Sequence, residues 1–181
     1  MDSSVPELRS ARQQQIVDVA WRLLETEGRD ALTMRRLADE LGIKAPSLYK
    51  HFPNKQVVEA ALIDRGFLLW GNAAREAIAH SGDPLANLAR AYRTVATEHP
   101  HLYRLMTDGA LDRALLTPGV EAWSGAPLGE PFRDPEAARA FWGFLHGMAI
   151  LEIDGRFPPD AELDRSWDRG LAAFSAITAN T

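Results

Sequence analysis

The chain has 181 residues, no cysteine and a formal charge of −5 at pH 7. This length suits one compact domain, or one with a small appended module, and an apolar content of 46% excludes wholesale disorder. Without cysteine the chain has no disulfide framework, thiol nucleophile or thiolate-bound metal. The acidic balance argues, at first, against nucleic acid as a partner.

The charge, however, is unevenly spread. Residues 1–55 hold nine Lys and Arg against eight Asp and Glu, whereas residues 56–181 hold eleven against seventeen. Only three of the 20 basic residues are lysines, and they fall in one stretch, at Lys44, Lys50 and Lys55, with no acidic side chain between them. Either a solvated loop or a surface that binds an anion would show this pattern.

The first third of the chain predicts three helices. Apolar residues recur at helical spacing from Arg9 to Glu27, which indicates an amphipathic helix. Two short helices follow, over Met34 to Leu41 and from about Ala45, with a turn at Gly42 between them. Two short helices around a glycine-containing turn, packed on a preceding helix, form a helix-turn-helix.

The rest of the chain also reads as helix, with no alternating strand pattern, and the predicted fold class is all-α. Prolines and glycines divide it into predicted segments. The segments are a helix over 55–81, a helix over 84–99, a short helix over 101–106, a helix over 108–116, a long loop over 118–135 with one turn near Trp123, and helices over 135–154 and 160–179.

The second short helix carries a polar, cationic face. With Leu48 and Phe52 directed inward, the outer residues are Lys44, Ser47, Tyr49, Lys50 and His51. Cations for phosphate and hydroxyls for phosphate or base edges suit a helix in the major groove. Two alternatives stay open: the hairpin is a packing unit that touches no DNA, or Tyr49 is half-buried packing.

The segment from Thr33 to Lys55 closely resembles the DNA-binding segment of the TetR family of transcriptional repressors. Its most specific part is the run Leu-Tyr-x-His-Phe followed by Asn-Lys, and the match covers roughly residues 9–65. The resemblance implies a DNA-binding domain over 1–54 and a helical regulatory domain, for effector binding and dimerisation, over 55–181. It further implies a set of DNA contacts: Thr33, Arg35, Lys44, Ala45, Pro46, Ser47, Tyr49, Lys50, His51 and Lys55.

Members of this family bind DNA as dimers. The helix over 135–154 is apolar nearly all round, so a helix buried on both sides, with a second copy as one cover, is expected here. Glycines at Gly143 and Gly147 either let a neighbouring helix approach or serve internal packing. The predicted interface residues are Phe141, Gly143, Phe144, Gly147, Leu151, Trp167, Leu171 and Phe174. The run 142–147 also resembles a C-terminal subclass named for its Trp-His-Gly residues.

An effector pocket is expected among aromatic and methionine side chains, because ligand sites are mostly apolar with few polar groups. The candidates are Phe67, Trp70, Tyr103, Met106, Trp123, Trp142 and His146. Ordinary core is the competing interpretation for each of them, including His146.

The predicted function is therefore a ligand-responsive repressor that binds a palindromic operator as a homodimer and is released by a small, largely apolar effector. We expect it in the cytoplasm, with double-stranded DNA as partner and with no cofactor, metal or membrane association. The alternatives are an activator with the same DNA-binding mode and a helical metal-dependent enzyme that uses His146 and Glu152.

Overall fold

The computed structural model describes residues 9–179. They form helices joined by turns and loops and contain no strand. The predicted all-α architecture, with a helix-turn-helix near the N-terminus and helices through the C-terminal part, is confirmed. The helices are α1 (Ala11–Glu27), α2 (Met34–Glu40), α3 (Ala45–Tyr49), α4 (Lys55–Ala79), α5 (Pro84–Glu98), α6 (Pro100–Thr107), α7 (Val120–Gly129), α8 (Pro135–Ile153) and α9 (Leu163–Ala179).

The described residues pack as two compact units. The first comprises residues 9–68 and 99–121, and the second comprises residues 69–98 and 122–179. The first unit therefore contains the helix-turn-helix, the beginning of α4, and α6. The predicted functional boundary after residue 54 stays a prediction, because α4 begins there but contributes to both units.

A buried carboxylate fastens the first unit. Asp64, on α4, has no exposed surface. One of its oxygens accepts a hydrogen bond from Arg9, at 2.7 Å, and from the hydroxyl of Thr117, at 2.8 Å. The backbone N–H of Thr117 donates to the same carboxylate at 3.1 Å. Since buried charge is tolerated only where it is paired and hydrogen-bonded, this cluster fixes three remote segments at one point.

In the second unit, α5, α8 and α9 pack together around aromatic and charged contacts. Arg93 on α5 reaches Glu152 on α8, with N–O distances of 2.8 to 3.1 Å, and also pairs with Asp164 on α9. Gly170 lets α9 approach α8, because a Cβ there would lie 2.2 Å from the ring of Phe144.

Two predicted segments are wrong. The helix expected over 108–116 is absent: Gly109 has a φ of +76°, and only a 3₁₀ turn at Arg113–Leu115 follows. The long loop expected over 118–135 contains α7 instead. Pro127 lies inside this helix. Because proline normally interrupts a helix, the sequence pattern predicted a loop here.

An arginine from another helix compensates for Pro127. Proline has no N–H, so the carbonyl four residues earlier, on Trp123, loses its helical donor. Arg75 on α4 donates to that carbonyl at 2.6 Å and stacks over the Trp123 ring, 3.7 Å from its centroid. The helix is thus completed by a residue 48 positions away.

Replacing Asp64 by Ala leaves Arg9 and Thr117 without their acceptor, and we expect it to lower the free energy of unfolding by about 3 kcal/mol. The matched control is Asp18→Ala, because Asp18 also pairs with an arginine of α4, Arg65, but at the surface. That change should cost no more than about 0.5 kcal/mol. Urea titration followed by circular dichroism measures both, and equal losses would contradict the role given to Asp64.

Candidate nucleic-acid interface

The turn of the helix-turn-helix is built by capping interactions. The Thr33 hydroxyl accepts a hydrogen bond from the N–H of Arg36, at 3.1 Å, and caps α2. At the other end, Ile43 N–H donates to Ala38 C=O, at 3.0 Å, while Gly42 adopts a φ of +63°. This is a Schellman ending, which glycine permits without strain. The chain thereby turns within a few residues and starts α3.

Buried side chains of α3 and its neighbours decide which residues face outward. Leu37, Leu48 and Phe52 are almost completely buried. The predicted DNA contacts lie outside this core: Thr33, Arg35, Lys44, Pro46, Ser47, Tyr49 and Lys50 are exposed, and Ala45, His51 and Lys55 are half-buried. Tyr49 is 48% exposed, which favours a surface role over the packing alternative.

The cations of this surface differ in whether they are already paired. Arg35, Lys44 and Lys50 form no ion pair with any residue that the structure describes. Arg36, by contrast, pairs with Glu27 at 3.1 Å and with Glu40 at 3.0 Å. An unpaired exposed cation can approach a phosphate without first breaking a protein contact. We call Arg35, Lys44 and Lys50 the free cations.

Lys55 is held from inside the protein. Its ammonium donates to the carbonyl of Arg29, at 3.1 Å, and lies 3.6 Å from a carboxylate oxygen of Glu59. Glu59 is buried and also accepts two hydrogen bonds from Arg29, at 2.9 and 3.0 Å. This bidentate contact raises the pKa of Arg29, although partial burial lowers it. Since an ammonium has three N–H donors, the predicted phosphate contact of Lys55 would share the ammonium with these partners.

Sequence reasoning missed Glu59. Its i, i+4 spacing from Lys55 was the available signal, but the partner that completes the contact, Arg29, lies 30 residues away. Such a triad cannot be read from local spacing.

The residues predicted for an effector pocket fall in both units. Phe67, Tyr103 and Met106 belong to the first unit, and Trp70, Trp123, Trp142 and His146 to the second. Trp70 packs edge-on against Tyr92, with ring centroids 5.0 Å apart. Trp123 is buried, and its indole N–H has no hydrogen-bond partner among the described residues. Trp142 is 50% exposed, so it is not part of the buried core.

The residues predicted for a dimer interface differ in their burial. Phe141, Trp167 and Leu171 are buried within the chain, while Phe144 and Phe174 are half-buried and pack on each other, with centroids 5.6 Å apart. Gly147 is also half-buried, and Gly143 and Leu151 are exposed. At both glycines an added Cβ would meet nothing within 4 Å.

The enzyme alternative would use His146 and Glu152 as its functional groups. Glu152 binds Arg93 and accepts from the indole N–H of Trp167 at 3.4 Å, so it is engaged in packing. Within residues 9–179 no group of three potential metal ligands occurs, and none of the helices there is long and apolar enough to cross a membrane.

Two family models match the chain. "Bacterial regulatory proteins, tetR family" covers residues 16–62, and "Tetracyclin repressor-like, C-terminal domain" covers residues 85–174. The uncharacterized HTH-type transcriptional regulator Rv0681 of Mycobacterium tuberculosis is 33% identical over 153 residues, which span 77% of this chain and 69% of that protein. The chain belongs to the TetR family. It is accordingly a DNA-binding transcriptional regulator and not an enzyme.

Solved structures of TetR-like proteins share the fold. ActR of Streptomyces coelicolor, in complex with (S)-DNPA, superposes with a TM-score of 0.67 at 22% identity, over 98% of this chain and 99% of ActR. BioQ, solved with its double-stranded DNA operator, superposes with a TM-score of 0.64 at 22% identity, over 95% and 100% of the two chains. Membership of the Trp-His-Gly subclass stays a prediction.

Replacing Lys50 by Ala removes a free cation, and we expect the slope of log K against log salt concentration on duplex DNA to become shallower by about 0.9 for each phosphate that this side chain neutralises. Arg36→Ala is the matched control, since it removes the same charge from a cation that is already paired. Fluorescence anisotropy on one labelled duplex, over a range of roughly 50 to 300 mM salt, measures both variants. Equal changes in slope would contradict the assignment of Lys50 to the DNA surface.

Proposed function

We propose that this protein is a repressor that binds a palindromic operator as a homodimer and leaves it when a small, largely apolar effector binds. It would act where the DNA lies, in the cytoplasm. The DNA-binding part of this proposal rests on the free cations of the helix-turn-helix. Arg36, which lies near them in the chain, is already paired with two glutamates. The repressor role is supported by the match to a repressor-like C-terminal domain over residues 85–174.

Exposed apolar residues on α8 support the homodimer. At 100° per residue, the buried residues of α8, such as Phe141 and Leu145, lie on one side of the helix. The opposite half carries the two glycines, between Trp142 at one edge and Leu151 at the other, which are 50% and 41% exposed. Ile177 on α9 is 44% exposed as well. Large apolar side chains exposed on one helix are candidate interface residues, and the glycines would let helix backbones approach closely.

The effector proposal is supported by the second unit. Trp123 presents a buried indole N–H without an acceptor among the described residues, and such a group needs an explanation such as a bound molecule or water. The ActR complex holds a small molecule on the same fold. Effector and operator must then weaken each other's binding by the same factor. We expect α4, which contributes to both units, to transmit this coupling.

DNA binding is tested with duplexes that tile the region flanking the protein's own gene. One palindromic site should bind at least about 10³ times more tightly than a scrambled duplex, with half-site centres about 34–36 Å apart. Transcription in vitro from a promoter that overlaps this site should fall when the protein is added. A rise would establish the activator alternative, and the absence of any preferred duplex would refute sequence-specific regulation.

Replacing Leu151 by Arg places a charge on the exposed face of α8, and we expect the dimer to dissociate at least about tenfold more readily, because the charge would be buried without a partner. The control is Leu115→Arg, since Leu115 is similarly exposed but belongs to the first unit. Sedimentation equilibrium measures the association constant. Because Leu151 is exposed in the protomer, its unfolding curve should hardly move, and an unchanged association constant would exclude this face as the interface.

A further inference from the structure

A cavity of about 180 Å³ lies within the first unit. Its walls come from the beginning of α4, from α6, from the segment after α6, and from Arg29 in the loop before α2. Of the seven residues predicted for an effector pocket, only Met106 lines it. The cavity is therefore lined by residues of the first unit, whereas Trp70, Trp123, Trp142 and His146 belong to the second.

The apolar lining residues, which we call the floor, form an adaptable surface. They include Ile63, Leu105, Met106, Leu111 and Leu116. The Met106 sulfur rests directly on α4, 2.2 Å from the position that a Cβ on Gly66 would take. A thioether on an unbranched chain adjusts readily to the shape of a ligand. An engineered apolar cavity of about 150 Å³ admits benzene, so this space fits a single aromatic ring.

The charged lining residues, which we call the rim, are mostly acidic. They are three carboxylates, Glu59, Asp108 and Asp112, and one cation, Arg29. Arg29 is bound by both oxygens of Glu59. Neither Asp108 nor Asp112 forms an ion pair within the part of the chain that the structure describes. Two carboxylates beside an apolar floor therefore form no ion pair, although Asp108 interacts electrostatically with Arg29.

We propose that this cavity binds a small organic cation with a flat apolar body, whose ammonium or amidinium group pairs with Asp108 and Asp112. The body would be buried on the leucine and methionine floor, and the charge would complete the unpaired rim. A neutral molecule of the same shape gains only the apolar contact, and an anion meets the two carboxylates as like charges. The site extends beyond the proposed operator and effector function, and its test needs neither.

The location gives such a ligand a route to the DNA surface. Glu59 lines the cavity and holds both Arg29 and Lys55. A cation bound at the rim competes with Arg29 for negative charge, because Arg29 already interacts electrostatically with Asp108. A ligand in the cavity would therefore act on Arg29, whose carbonyl accepts a hydrogen bond from Lys55, a predicted phosphate contact.

Three probes of nearly equal shape and different charge test the site: benzamidinium, benzamide and benzoate. Isothermal titration of the full-length protein measures affinity, and ¹H–¹⁵N spectra locate the bound probe. We expect benzamidinium to bind at least about tenfold more tightly than benzamide, with amide shifts centred on Gly109 to Leu111, and benzoate to bind more weakly than either. The advantage should shrink in about 0.5 M salt, because the charged rim is open to solvent.

The double variant Asp108→Asn with Asp112→Asn should abolish the advantage of benzamidinium over benzamide. Asparagine keeps the acceptor through which Asp112 caps the 3₁₀ turn at Ala114 N–H. The control, Asp160→Asn with Asp168→Asn, removes the same charge from exposed positions of the second unit and should change nothing. Equal affinity for the three probes, absence of binding, shifts centred elsewhere, or an advantage that survives the double variant would each overturn the proposal.

Discussion

The carboxylate of Asp64 is the constraint on which the first unit depends. It has no exposed surface, so its charge is tolerable only because Arg9 and Thr117 meet it. Arg9 directly precedes the capping residue of α1, and α1 supplies Ile16 and Leu24 to the buried core. The position of the helix-turn-helix on α4 is therefore set by a polar contact as well as by apolar packing. The hydrophobic effect is non-directional, whereas hydrogen bonds have preferred distances and angles and so restrict how the segments meet.

Ion pairs with carboxylates also determine which basic side chains are available to contact DNA. Arg29 and Arg36 are bound by glutamates, and Arg9 by an aspartate, so these arginines serve the protein's own structure. Within the described part of the helix-turn-helix, the free cations are the basic residues that form no ion pair. A formal charge of −5 for the chain is thus compatible with a local cationic surface. The net charge describes the whole molecule, and phosphate affinity depends on the distribution of the unpaired cations.

The sequence allowed prediction wherever the determining contacts are local. The helix-turn-helix depends on Thr33, Gly42 and Pro46, each acting within a few residues, and it was predicted with nearly the bounds that the structure shows. Helix α7 was missed because Pro127 is compensated by Arg75 on another helix. Glu59 and Asp64 were missed for the same reason, since their partners lie 30 to 55 residues away. Local periodicity carries no information about such contacts. For the same reason, several residues that were predicted for the interface, such as Phe141 and Trp167, belong to the buried core of the chain.

The size of the DNA surface gives a physical reason for two copies. Helix α3 has five residues, and one protomer offers the free cations together with the shared ammonium of Lys55. About four phosphate contacts give a salt slope of only about −3.6, and binding of that kind is weak at physiological salt. Linking two such surfaces makes the second contact intramolecular and raises avidity by about 10²–10⁴ without any new contact type. In the proposed homodimer, the exposed residues of α8 would supply the linkage without which the small cationic surface around α3 would bind too weakly to regulate a gene.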